Sequence, residues 1–274
     1  MMSKKVRLDL LLVERGLIET REKAKRTIMA GLVYEQNICL DKPGQKVNED
    51  IDITVKGRAI PYVSRGGLKL EKALRTFSLD LKGKTMIDIG SSTGGFTDCG
   101  LQNGVRLSYA IDVGYNQLDW RLRNHPQVIV MERTNFRYVI PDDLTEGQPN
   151  FASIDVSFIS LRIILPVLAT LLAAKSDVVA LIKPQFEAGR EQVGKKGIVK
   201  DPAIHKQVIE QILTFSTDLG FIVKNLTYSP ITGGDGNIEF LVHLYWSGEK
   251  EGKREPDVEM NTIVHEAHEA HHKG

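Results

Sequence analysis

Three ionisable residues stand inside otherwise apolar runs: Asp155 in S-I-D-V-S-F, Lys183 in V-V-A-L-I-K-P and Glu239 in N-I-E-F-L-V. Burying a lone charge is costly, so such groups should be paired, functional or both. Asp155 and Lys183 end runs that read as parallel strands. Glu239 begins a run that reads as antiparallel, which returns it to the same edge of the sheet. A structural ion pair is the ordinary explanation for one buried lysine beside one carboxylate. Three charges on one edge favour chemistry, and the chemistry they suit is proton removal from an alcohol. A lysine base for that purpose must be brought down from its usual pKa of ~10.4 by desolvation and a second ammonium. Cys99 falls on the apolar face of a helix, so a thiol adduct is not expected.

The other distinctive stretch is M-I-D-I-G-S-S-T-G-G-F-T-D, residues 86–98. An apolar strand ends at Asp88 and Gly90, a small polar loop follows, and a helix begins near Phe96. In an open parallel sheet, ligands sit beyond the carboxyl ends of the strands. The glycine spacing of Gly90, Gly94 and Gly95 is not G-x-G-x-x-G, and no Lys-Ser/Thr pair follows, so dinucleotide and P-loop cradles are excluded. D-x-G-x-x-x-G matches the turn of S-adenosylmethionine sites, in which small residues admit the methionine moiety and a carboxylate can hold its ammonium. Asp112, at the end of the next strand, can accept from both ribose hydroxyls. Asn135, after the third, can face the adenine. The expected cofactor contacts are Asp88, Gly90, Ser92, Thr93, Gly94, Gly95, Phe96, Asp112, Val113, Asn135 and Asp155.

These residues must be carried by alternating strands and helices. From residue 84, seven apolar runs read as strands. The first five are separated by segments long enough for crossovers, and the last two are joined by S-P-I-T-G-G-D-G-N. That pattern predicts an α/β, Rossmann-like, seven-stranded methyltransferase sheet with a final antiparallel pair. The first sixty residues read differently: two short helices around 7–16 and 21–31, then the short β-like runs L-V-Y-E, N-I-C-L and D-I-T-V. The expected organisation is a small α+β domain over 1–60, a linker at 61–66, the main domain over 67–247, and a charged, His-rich tail over 248–274.

The 274 residues carry a net charge of +1, yet residues 1–30 hold eight Lys/Arg against four Asp/Glu. Four of these cations, Arg21, Lys23, Lys25 and Arg26, crowd one helix start, where they oppose its dipole. A polyanion partner accounts for such placement better than a merely solvated face. Candidate phosphate contacts are Lys4, Arg7, Arg15, Arg21, Lys23, Lys25, Arg26 and Arg65, with Arg190, Lys195 and Lys196 on a glycine-rich loop that could close over such a polyanion. Two cysteines are too few for a disulfide framework, and I-I-L-P-V-L-A-T-L-L-A-A (163–174) is too short to span a bilayer. A reduced, cytosolic, soluble protein is expected, with no obligate metal and no membrane partner.

Seven motifs together closely resemble the TlyA family: S-R-G-G-L-K-L (64–70), D-I-G-S-S-T-G-G-F-T-D (88–98), D-V-G-Y-N-Q-L (112–118), E-R-T-N (132–135), D-V-S-F-I-S-L (155–161), K-P-Q-F-E-A-G-R (183–190) and G-N-I-E-F (236–240). The likeness runs in order over roughly residues 5–246. It implies an S4-type RNA-binding domain over 1–60 joined to an FtsJ-like methyltransferase domain. It also implies S-adenosylmethionine as cofactor and 2′-O-methylation of cytidine in ribosomal RNA, with ribosomal RNA or ribosomal subunits as partners. A catalytic Lys-Asp-Lys-Glu tetrad would fall on Lys69, Asp155, Lys183 and Glu239, with Lys183 as the base. Lys69 is supplied by the resemblance alone.

Other readings are open at this stage. The family is also labelled haemolysin, which would need a membrane-active segment. Base N-methylation of RNA is a second alternative, since D-V-S-F is loosely similar to an acidic-P-P-aromatic motif but lacks both prolines. A non-catalytic RNA chaperone would use the first domain alone. H-E-A-H-H (268–272) formally matches a zinc-protease motif, yet its place near the chain end suits an adventitious metal-binding tail better.

Overall fold

A computed structural model describes residues 5–29, 31–36, 38–55, 60–194, 196–233, 236–255 and 258–272. The chain divides into two compact units, residues 1–65 and 66–274.

The first unit contains β1 (Lys5–Arg7), α1 (Leu8–Glu14), α2 (Arg21–Met29), β2 (Val33–Glu35), β3 (Ile38–Cys39), β4 (Lys46–Asn48) and β5 (Ile53–Val55). β1 pairs antiparallel with β4, while β2 pairs antiparallel with both β3 and β5. The two expected helices and three expected strands are present. β1 and β4, three residues each, carry too little alternation to be read from sequence. Leu8, Leu11, Leu12, Ile28 and Val33 form the core between helices and sheet. Thr20 caps α2, its Oγ1 accepting from the Lys23 amide at 3.2 Å.

The second unit contains α3 (Gly66–Thr76), β6 (Thr85–Ile89), α4 (Gly95–Gln102), β7 (Leu107–Ile111), α5 (Trp120–Arg123), β8 (Val128–Met131), β9 (Phe151–Ile154), α6 (Leu161–Leu171), β10 (Ser176–Ile182), α7 (Pro184–Glu187), α8 (Pro202–Leu219), β11 (Ile222–Tyr228), β12 (Phe240–Trp246), β13 (Lys253–Arg254) and α9 (Met260–His272). Its sheet runs β13-β11-β12-β10-β9-β6-β7-β8. β12 is antiparallel to both β10 and β11, and all other pairs are parallel. The chain moves outward from β6 to β8, then returns to lay β9 on the other side of β6. That reversal creates the crevice where such sheets bind ligands.

Two findings differ from the sequence expectation. The sheet has eight strands rather than seven, and the stretch 248–274 is not an appendage. It supplies the short edge strand β13 and the helix α9, whose Val264 and Ala267 are fully buried in the main core. The inward stripe of α9 runs through Ile263, Val264, Ala267, His268 and His271, at helical spacing. Alanine and histidine hide such a stripe from a reading that looks for large apolar residues.

Candidate active site

β6 is buried along its whole length, and its Asp88 is fully enclosed. The Asp88 carboxylate accepts from the Thr97 amide at 3.0 Å, the Thr97 hydroxyl at 2.7 Å and the Ser153 hydroxyl at 2.7 Å. Burial pushes this carboxyl up to about 6, against the pull of those hydrogen bonds. Asp88, expected to hold an ammonium, instead staples the start of α4 to β6 and β9. It does not line the cavity.

That cavity, of about 360 Å³, opens beyond the ends of β6, β7 and β9. Gly90, Ser92, Asp112, Val113, Asn135 and Asp155 line it, all of them expected from sequence. Thr93, Gly94, Gly95 and Phe96 do not. They form the turn into α4, and Phe96 is buried in the core. Gly90 has φ +83°, and a Cβ there would lie 2.5 Å from the Asp155 carbonyl oxygen, so the crossing admits only glycine. Asp112 accepts from the amides of Ser92 at 2.8 Å and Gly114 at 2.7 Å. Its orientation is thereby fixed, with acceptor capacity left over. Asn135 turns its Oδ1 to the Arg137 amide at 3.1 Å. Ile89, Ile111, Phe136 and Ile159 add apolar wall. An anchored carboxylate at one end and apolar walls beside it fit an adenosine with its ribose on Asp112.

Beside this cavity the four distant charges meet. Lys69, from α3, reaches Glu239 Oε2 at 2.8 Å and Asp155 Oδ2 at 3.2 Å. Lys183 reaches Asp155 Oδ1 at 2.5 Å and the Ser157 hydroxyl at 3.1 Å. Asp155 thus bridges two ammoniums. Burial by itself would raise the Asp155 carboxyl, but the ammoniums of Lys69 and Lys183 outweigh it and hold the group below the usual range. For Lys69, burial favours the neutral amine, yet Asp155 and Glu239 together keep its pKa above the ordinary value. Glu239 comes close enough because β12 runs antiparallel and because Gly233 leaves room. A Cβ at Gly233 would lie 2.7 Å from Glu239 Oε1.

Three neighbours escaped the sequence reading. Ser157 stands two residues after Asp155. The Gln185 amide faces Glu239 Oε1 at 3.5 Å from the first turn of α7, whose start is set by Pro184. Phe158, 90% exposed with φ +62°, lines the cavity mouth with its ring 4.9 Å from Phe186. A bulky residue in the left-handed region is strained, a state found chiefly at functional sites. For Ser157 and Phe158 the sequence signal was their place in D-V-S-F, and for Gln185 only its proximity to Lys183.

The cations expected to meet RNA have varied surroundings. Buried Asp9 pairs with Arg7 at 2.9 Å and Arg21 at 3.0 Å. The Arg7 hydrogen bond, helped by Arg21, holds the Asp9 carboxyl at about 2 despite its burial. Arg15 donates to the carbonyls of Glu49 and Ile51. Lys23 pairs with Glu19 and Lys25 with Glu22, so the crowding of charge at the start of α2 is largely offset locally. Arg26 lies along α2 near the Glu22 carbonyl. Arg65 is half-buried, whereas Arg190 and Lys196 are exposed. Lys4 and Lys195 lie outside the described residues. Among the described residues no group of three or more His, Cys, Asp or Glu could hold a metal, and no helix is long and apolar enough to cross a membrane.

A family model described as FtsJ-like methyltransferase matches residues 62–246, and an S4 domain model matches residues 6–51. The chain is 65% identical over 269 residues to YqxC of Bacillus subtilis (strain 168), covering 98% of this chain and 96% of that protein. It is 39% identical over 246 residues to the 16S/23S rRNA (cytidine-2′-O)-methyltransferase TlyA of Mycobacterium tuberculosis (strain CDC 1551 / Oshkosh), covering 89% and 91% of the two chains. A solved structure from Streptococcus thermophilus that bears a hemolysin label has 52% identity and a TM-score of 0.79, covering 100% of this chain and 98% of that one. With the cofactor crevice, the converging tetrad and the matching S4 region, the chain belongs to the TlyA family of FtsJ-like, S-adenosylmethionine-dependent methyltransferases.

Proposed function

We propose that the protein methylates the 2′-hydroxyl of a cytidine in ribosomal RNA, with Lys183 removing the hydroxyl proton. The carrying observation is the two-lysine, two-carboxylate cluster beside the cavity. The bound cofactor supplies a methyl group on a positively charged sulfur. Asp112 would hold its ribose, while Gly90 lets the chain approach closely and Asn135 flanks the base.

The surroundings of the two lysines support a division of labour. Lys69 touches two carboxylates, Asp155 and Glu239, and stays an ammonium. Lys183 touches one carboxylate and one hydroxyl. If Lys183 sheds its proton, Lys69 still balances one carboxylate charge, whereas loss from Lys69 would leave Glu239 without a cation. Asp155 and Ser157 orient the Lys183 amine toward the incoming hydroxyl. General-base assistance of this kind is worth about 10²–10⁴-fold in rate.

The same reading assigns phosphate contacts to Lys23, Lys25 and Arg26 on the first unit, and to Arg190 and Lys196 on the second. It gives Arg7, Arg15 and Arg21 a supporting role, since Arg7 and Arg21 hold buried Asp9 and Arg15 holds backbone carbonyls, whereas Lys23 and Lys25 pair only with exposed carboxylates. Lys4, Arg65 and Lys195 remain assigned from sequence. With ribosomal RNA as partner, the protein works in the cytoplasm.

The test is mass spectrometry of ribosomal RNA from cells with and without the gene, complemented by wild-type or Lys183→Ala protein. A ribose-methylated cytidine that disappears with the gene and returns only with the wild-type protein is expected. An unchanged set of ribose-methylated cytidines overturns the assignment, and a lost base methylation would favour N-methyl transfer. Liposome leakage retained by the Lys183→Ala protein would assign the haemolysin label to a separate activity.

A further inference from the structure

The helix α9 lies beyond the span of the methyltransferase family model, which ends at residue 246. It nevertheless connects by hydrogen bonds to the segment that carries Glu239. His268 Nε2 lies 3.0 Å from Nδ1 of the fully buried His205. His205 Nε2 lies 3.0 Å from the Val199 carbonyl oxygen. A carbonyl can only accept, so His205 carries its proton on Nε2, its Nδ1 accepts, and His268 donates from Nε2. The chain continues through Val199, whose amide donates to Asn237 Oδ1 at 3.0 Å.

Asn237 is a buried clamp. Its Nδ2 donates to the Gly197 carbonyl at 2.9 Å, and its own carbonyl accepts from Gly233 at 2.9 Å. Gly233 is the residue packed against Glu239 Oε1, and Glu239 follows Asn237 by two positions. A second path starts from the same helix. His271 Nε2 donates to the Ser229 carbonyl at 2.9 Å, and the Ser229 amide donates to the Glu239 carbonyl at 2.8 Å.

We propose that α9 is a working part of the active site, with His268 as a positioning residue that acts through His205, Val199 and Asn237 on the turn presenting Glu239. The same clamp fixes the loop bearing Lys196 and Lys200. The kinetic consequence rests on the methyl-transfer reading above. The structural consequence does not.

The experiment uses the full chain with His268→Leu, His268→Gln and Asn237→Asp. Each is examined by amide hydrogen exchange, by S-adenosylmethionine binding, and by methyl transfer to ribosomal RNA. Loss of one buried hydrogen bond corresponds to roughly a tenfold change. His268→Leu should therefore speed exchange at Val199 and Gly233 about tenfold and lower kcat by a similar factor. The cofactor Kd should stay within about twofold, because no residue of the chain from His268 to Asn237 lines the cofactor cavity. Glutamine can donate to His205 Nδ1, so His268→Gln should restore protection and turnover. Asn237→Asp keeps the acceptor for Val199 but loses the donor to Gly197, and should behave like the leucine variant. Unchanged exchange in His268→Leu overturns the proposal. So does a loss that glutamine fails to rescue, or one in which cofactor affinity falls in parallel. Faster exchange in a protein whose wild type methylates no RNA would reject the substrate reading and leave the brace standing.

Discussion

The enclosed carboxyl of Asp88 offers a measurement in which the sign and the size both follow from the structure. Its folded-state pKa is raised from 3.8 to about 6 by burial. A raised acid favours the folded state while protonated. Its contribution is complete below the unfolded pKa and is lost as pH rises through the folded one. The shift of about two units corresponds to about 3 kcal/mol in all, of which about 2 kcal/mol falls between pH 4.5 and 7.5. Asp88→Asn cannot ionise. One amide oxygen can still accept from Thr97, and the Ser153 hydroxyl can turn to accept from the amide nitrogen. Relative to wild type, the variant should therefore gain about 2 kcal/mol of stability as pH goes from 4.5 to 7.5, whatever constant offset the altered hydrogen bonds impose. Urea titration followed by tryptophan fluorescence isolates the right unit, because Trp120 and Trp246 are the only tryptophans and both lie in residues 66–274. Working with the difference between the two proteins removes the opposite pH trend of Glu132, whose carboxyl the Arg123 hydrogen bond holds at about 2. Parallel stability curves for wild type and variant would refute the claim that this buried carboxyl is held against its charge.

Three other outcomes are expected. Lys183→Ala should lower methyl transfer by about 10²–10⁴-fold while cofactor binding, read by calorimetry, stays near wild type. Asp112→Ala should weaken cofactor binding by about tenfold or more, the worth of a charge-assisted hydrogen bond at about 1.5–3 kcal/mol, with little change in thermal stability. Gly90→Ala should destabilise the second unit by about 2 kcal/mol or more and block the cofactor, because its methyl meets the Asp155 carbonyl at 2.5 Å and φ is +83°. Circular-dichroism melts beside calorimetry would check both parts.

The expected strands from β6 to β12 were legible because each is an apolar run, the first five set apart by crossover-length segments and the last two joined by a short glycine-rich loop. Asp155, Lys183 and Glu239 stood out for the complementary reason, a charge where the run should be apolar. Lys69 carried no such mark, since a lysine on an amphipathic helix is normally solvated; only the family resemblance pointed to it. Asp88 illustrates a different limit. A carboxylate at a strand end looks available to a ligand until its partners are known, and here Thr97 and Ser153 occupy it. The basic helix start also read more plainly than it is, because Glu19, Glu22 and buried Asp9 lie within reach of the cations. α9 was missed because after Ile263 and Val264 its inward face continues through Ala267, His268 and His271 rather than through further large apolar residues.

The insertion of β12 between β10 and β11 has a temporal consequence. Lys69 is made early and its partner Glu239 comes 170 residues later. During synthesis, a nascent chain that already holds the cofactor crevice would still lack the carboxylate that completes the tetrad. Closing so distant a pair is slow, since the entropy of a long loop must be overcome before the contact forms. Competence would therefore appear in one step, once Glu239 has joined Lys69, rather than accumulate gradually as the crevice forms.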